Sequence, residues 1–252
     1  MDGQEGKATR KGPGAPRRNW RLYGVTAVGL AVVCGVAAAV GQVVRAGEAS
    51  AVEAPKYAVG SGGGTKLDLP VRPTVPVTLT VYEDPRSPQS RAFAQQYAAT
   101  FSHLLASGQL QINYRLVTQS DKQYGGSGAK EAAAAAACAE DQGRFAQFMD
   151  QVWQHQPAPA NDALKDRNLL TGLAKKAGKI NHDAFTLCVD RGQRNGWVAQ
   201  SQSEFAAAGL GEAPVVQING RPLPVPPAQL TPAKLTSLVS DEAQRVATAA
   251  TP

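Results

Sequence analysis

Few side chains in this 252-residue chain are of a type that does covalent or metal chemistry. The candidates are two serines in Ser87-Pro88-Gln89-Ser90, three cysteines (Cys34, Cys138, Cys188) and three histidines (His103, His155, His182). A serine nucleophile needs a positioned base. His103 falls about four turns along the helix expected after Ser87, and the other two histidines lie far beyond it. Gly125-Gly126-Ser127-Gly128-Ala129 departs from a nucleophile elbow at its last position. Serine hydrolysis is therefore not expected. With no Cys/His pair at ligand spacing, no metal is expected either. The Gly60–Thr65 run lacks the Gly-Lys-Ser/Thr of a phosphate loop, and no cofactor is expected. The structural reading of the serines is direct: Ser87 suits a helix N-cap, Pro88 the first turn, and Ser90 can meet a free backbone N–H.

The elements around these residues follow from pattern. Val77–Tyr82 is β-branched and aromatic between prolines and predicts a buried strand. Over 88–107, Phe93, Tyr97, Phe101, Leu104 and Leu105 share one helical face, and Gly108 is a stop. Leu110–Val117 alternates as a second strand, so strand, helix and strand form a βαβ unit. The stretch 129–154 is helix-prone throughout, with Ala132–Ala137 near the top of the propensity scale. Further helices are expected over 162–177, 182–190 and 195–208. Pro214–Asn219 predicts a strand, Asn219-Gly220 a turn, and 231–246 a final helix with Thr231 as its cap.

Charge is distributed unevenly. The chain has 26 Lys+Arg against 20 Asp+Glu, net +6, with 43% hydrophobic residues. Residues 1–21 hold six basic and two acidic residues, whereas 73–252 carries a net charge of only +1. The basic surplus belongs to the tail, so nucleic-acid binding is not expected. Leu22–Val44 then runs for 23 residues without a charge, long enough for a transmembrane helix. The basic flank keeps the N-terminus cytoplasmic and exports the rest. A cleaved signal peptide, using the alanines at 37–39, and a lipoprotein, using Cys34, are the competing readings; apolar sequence continuing past both favours the anchor. Residues 45–73, with the glycines at 62–64 and Pro70 and Pro73, are expected to be a flexible linker.

The order of these pieces carries a resemblance. Residues 77–93 (VTLTVYEDPRSPQSRAF) resemble the start of the DsbA-like, disulfide-oxidoreductase branch of the thioredoxin superfamily. In that branch an aromatic-acidic strand end leads into Cys-Pro-x-Cys. Gly128–Trp153 resembles its insertion helix, with a small-residue run, a cysteine and Gly143-Arg144-Phe145. Phe185–Cys188 and Ala208–Gly220 resemble its later half, where a cis-proline loop enters a strand ending in Asn-Gly. The resemblance implies an α/β thioredoxin fold over 74–247 with an all-helical insertion at about 125–208. It also implies a cis Ala213–Pro214 bond, a structural Cys138–Cys188 disulfide in the insertion, and a peptide-binding groove at Ser87, Gln89, Ala213 and Pro214, with Glu83 and Asp84 close by to tune it.

The departure is at the redox pair. Disulfide exchange needs a thiolate, which a helix N-terminus helps to form. Here that place holds Ser87 and Ser90, and a hydroxyl forms no disulfide. The expected protein is a single-pass membrane protein with a redox-inactive extracytoplasmic domain that binds exported polypeptide or an envelope protein partner. Its bilayer contact would be residues 22–44. The alternative is a thiol–disulfide oxidoreductase or isomerase of the cell envelope acting through Cys138 and Cys188. A third reading is a scaffold without groove function.

Overall fold

A computed structural model describes residues 52–60, 66–70, 75–224 and 226–249. The expected basic tail and transmembrane segment lie outside the described residues. Among the described residues no helix is long and apolar enough to cross a membrane.

Five strands make one mixed sheet in the order β1-β3-β2-β4-β5. Its centre is β2 (Val77–Glu83) paired in parallel with β3 (Leu110–Leu116), Leu79 opposite Ile112. The crossover between them is α1 (Pro88–Ala106). Strand β4 (Val215–Ile218) runs antiparallel to β2, and a hairpin through Asn219 and Gly220, both at positive φ, returns the chain as β5 (Arg221–Pro222). Alternation assigns the faces of the sheet. Val77, Leu79 and Val81 pack with Phe93, Tyr97 and Phe101 of α1 and with Leu235 and Val239 of α8 (Pro232–Ala249). Tyr82 points the other way, onto Phe205 of α7 (Asn195–Ala207), with ring centroids 5.2 Å apart. Thr231 caps α8 by accepting the Lys234 N–H at 3.1 Å.

Between β3 and β4 the chain is helical: α2 (Gln119–Tyr124), α3 (Gly128–Glu140), α4 (Phe145–Gln154), α5 (Arg167–Ala177), α6 (His182–Asp190) and α7. The alanine run buries nearly all of α3 inside a second core with Phe148, Phe185 and Trp197. Small side chains there let neighbouring helices approach closely.

Three sequence expectations change. The single helix over 129–154 is two, because Gly143 takes φ 65° and the Gly143 and Arg144 N–H groups bond back to the Glu140 and Ala139 carbonyls, closing α3. The helix over 162–177 starts only at Arg167: Asp162 is left-handed at φ 47°, short 3-10 turns occupy 159–161 and 163–165, and Asp166 caps α5 through the Asn168 N–H. The linker over 45–73 is folded where it is described. Val59 bridges Asp68, and β1 (Leu69–Pro70) pairs antiparallel with β3 as the sheet edge. Leu67 and Leu69 are fully buried, the Asp68 carboxylate pairs with Arg115, and the Trp197 indole donates to the Lys66 carbonyl at 2.8 Å. Burial of two leucines around a paired aspartate outweighs the local glycine and proline content.

Candidate functional site

The two serines sit where β2 hands the chain to α1. Ser87 is the N-cap: its Oγ accepts the Ser90 N–H at 3.3 Å, and Pro88 follows at the first helical position. Ser90 is fully buried, and its Oγ accepts the Asp84 N–H at 3.0 Å. Ser87 Oγ also bonds the Gln89 side-chain carbonyl at 3.0 Å. Both hydroxyls are thus committed to holding the turn. The histidines stand away from this turn: His103 in the last turn of α1, His155 after α4, and His182 at the start of α6. Among the described residues no group of three or more His, Cys, Asp or Glu side chains is arranged to hold a metal.

The loop is fixed from below by two acidic clamps. Asp84, 1% exposed, accepts the Arg86 N–H at 2.9 Å and the Ser120 N–H at 2.7 Å, joining the serine turn to α2. Burial pushes its carboxyl above the ordinary value even against these two donors. Arg86, 2% exposed, reaches Asp121 at 2.9 Å and Asp162 at 3.0 Å, and donates to the Pro159 and Gly125 carbonyls. Asp121 in turn accepts the Ala129 and Lys130 N–H groups at the start of α3, where a carboxylate favours the helix dipole, and Asp162 accepts those of Ser127 and Gly128. A Cβ on Gly126 or Gly128 would overlap the Asp162 carboxylate and displace it from this clamp, and Gly126 also takes φ 93°.

Above this base lies a cleft of about 740 Å³. Ser87, Gln89 and Ala213 line it together, with Gln119 and Lys122 of α2 and Gln202 of α7. Ala213–Pro214 is a cis peptide bond. Pro214, directly before β4, and Pro88, exposed on α1, are not among the residues that line the cleft. Asp84 lines this cleft, whereas Glu83 faces the opposite side of the sheet, beside Tyr114. Strand alternation separates the two acids that the sequence places side by side.

The largest omission from the sequence reading is Gln119. Its Oε1 accepts the Ala213 N–H and its Nε2 donates to the Gly211 carbonyl, each at 2.8 Å. Thr118 is held by Gln202 through its N–H at 2.7 Å. No sequence signal points to these glutamines, because their partners lie 94 and 84 positions away.

Cys138 and Cys188 are joined by a disulfide, with Cα atoms 6.0 Å apart, and are 1% and 6% exposed. Each lies two residues before the last residue of its helix, α3 and α6. Neither lines the Ser87 cleft.

The comparisons agree with this architecture. A family model described as "Thioredoxin" matches residues 72–241. Oxidised DsbA of Mycobacterium tuberculosis has a TM-score of 0.58 at 23% identity, covering 79% of this chain and 97% of that one. DsbG of the same organism, a disulfide bond oxidoreductase, gives 0.55 at 23%, covering 79% and 92%. BdbD from Bacillus subtilis gives 0.59 at 18%, covering 74% and 98%. No match was found among curated proteins.

Proposed function

Because the chain belongs to the thioredoxin family, we propose that it is a membrane-anchored, extracytoplasmic thioredoxin-like protein that binds extended polypeptide in the Ser87–Ala213 cleft without dithiol chemistry at residues 87–90. The observation that carries this reading is the commitment of both serine hydroxyls. Ser87 caps α1 and Ser90 holds the Asp84 N–H, at the helix start where a thiolate would be stabilised. Oxygen there forms no mixed disulfide, yet the cleft beside it is intact and bounded by a backbone loop able to pair with an extended chain. Polar side chains dominate the lining that is contributed by α2, which suits main-chain recognition over an apolar anchor. The basic tail and residues 22–44 place the domain outside the cytoplasmic membrane in this reading.

The second reading, an oxidoreductase working through Cys138 and Cys188, draws on the disulfide itself and on the oxidoreductases named among the structural neighbours. Its chemistry is disfavoured by position. Both cysteines are buried, which limits the approach of an attacking thiolate. Both also sit near helix C-termini, where the dipole opposes a thiolate.

The test is fluorescence-anisotropy titration of the full-length chain with labelled extended peptides. Saturable binding that is lost in a Gln89→Trp, Ala213→Trp double variant supports the cleft. Binding unaffected by that variant removes it.

A further inference from the structure

A second cleft, of about 260 Å³, shares no lining residue with the Ser87 cleft. It opens between α1 and α4, and its walls are apolar, with Phe101, Phe145, Met149 and Trp153 among them. Its floor carries Glu83 from β2 and Tyr114 from β3, and Asp150 of α4 stands exposed beside it. Glu83 is 1% exposed, and its Oε1 has no hydrogen-bond partner. A buried carboxyl oxygen without a partner is unfavourable, because it has given up water and gained no donor in exchange.

Asp150 is the one other charged side chain in the lining around Glu83. Helix α4 brings Asp150, β3 brings the Tyr114 phenol, and α1 contributes Ser102 as its one polar side chain in the lining. No lysine, arginine or histidine lines the cleft. Two carboxyls are too few oxygens for a calcium or magnesium site of protein ligands. A neutral apolar guest would leave the Glu83 oxygen unpaired. Aromatic walls and an acidic floor together match an ammonium head on an apolar body.

We propose that this cleft binds a small organic monocation, an amine with a short apolar or aromatic body, whose ammonium meets Glu83 and Asp150. Burial and the neighbouring Asp150 push the Glu83 carboxyl up to about 8. The empty cleft thus holds Glu83 protonated at neutral pH, and a cation entering it displaces that proton to solvent.

The test is calorimetric titration of the full-length protein with 2-phenylethylammonium, and in parallel with 2-phenylethanol as the uncharged probe. The ammonium should bind at least tenfold more tightly than the alcohol, with affinity rising as pH goes from 6 to 8 and one proton released per ligand at the lower pH. Glu83→Gln should weaken the ammonium at least tenfold and remove the pH dependence. No ammonium binding, equal binding of the alcohol, or pH-independent affinity in the unmodified protein would each overturn the proposal. The exposed Asp150→Asn variant gives a second readout that does not touch the buried floor: a several-fold loss is expected, and no loss counts against the assignment of Asp150.

Discussion

Gln119 grips the backbone beside Ala213 as a peptide strand would, with one acceptor on the Ala213 N–H and one donor on the Gly211 carbonyl, both at 2.8 Å. The loop preceding Pro214 is therefore already paired, by a side chain from α2. A polypeptide that pairs with the same loop exchanges with this carboxamide. Gln119→Ala should then raise peptide affinity several-fold, since a typical net hydrogen bond is worth about 1 kcal/mol. Anisotropy titration of the variant and the parent checks this. Weaker binding in the variant would mean that Gln119 contacts the ligand instead of competing with it.

Arg86 joins the serine turn to the helical insertion through Asp121 and Asp162. Removing one member of a buried ion network leaves charges without partners, at about 3–5 kcal/mol. Arg86→Ala should lower unfolding stability by that order in urea denaturation. Arg86→Lys should recover only part of it, because an ammonium cannot serve both carboxylates and the Pro159 and Gly125 carbonyls in one plane. A loss below about 1 kcal/mol for Arg86→Ala would show that the network adds no more than a surface pair.

Glu83 makes stability depend on pH in an unusual direction. Its carboxyl is raised from 4.5 to about 8 by burial, with Asp150 adding to the effect. Between those values the folded state holds a proton that the unfolded chain has released, so stability falls as pH rises, with a limiting slope of about 1.4 kcal/mol per pH unit. Glu242 acts oppositely. Arg245, Asn219 and Arg221 hold its carboxyl down at about 2, so its contribution is present above about 4.5 and is lost as pH falls toward 2. Burial raises the Glu140 carboxyl to about 7 and adds a decline of the same sign; urea unfolding at pH 5 to 8 should show the sum, and Glu83→Gln should make it shallower, most clearly between pH 7 and 8. An unchanged slope in that variant would assign the decline to other groups.

The disulfide closes a loop of 50 positions between α3 and α6. In the chain-entropy account, a closure of that length stabilises by roughly 4 kcal/mol. Cys138→Ser with Cys188→Ser should lower the unfolding midpoint accordingly, while peptide binding at the Ser87 cleft persists under conditions where the variant is folded. Peptide binding lost in a folded variant would tie the disulfide to the cleft.

Much of this molecule is legible where periodicity is strong. The β2 and β3 patterns, the aromatic face of α1 and the Asn219-Gly220 turn each occur within two residues of their expected places. The alanine run hid the end of α3, because uniform small residues carry no periodic signal, and the break is made by the backbone of Gly143. Residues 66–70 read as linker because the alternation of Leu67 and Leu69 is too short to register against the flanking glycines and prolines. Helix α2 is six mostly polar residues, and its importance lies in distant partners that local pattern does not encode. The serine turn was readable from capping rules, whereas the Gln119 contact and the separation of Glu83 from Asp84 required the fold.

The central claim is that the chain carries out no dithiol exchange, neither at the start of α1, where serines stand, nor through the buried Cys138–Cys188 pair. Insulin reduction in the presence of dithiothreitol, measured on the full-length chain, tests it most directly, with a Ser87→Cys, Ser90→Cys variant as the comparison. The account predicts turnover at the background rate for the parent chain and a gain in the variant. Turnover in the parent chain that disappears on Cys138→Ser would contradict it.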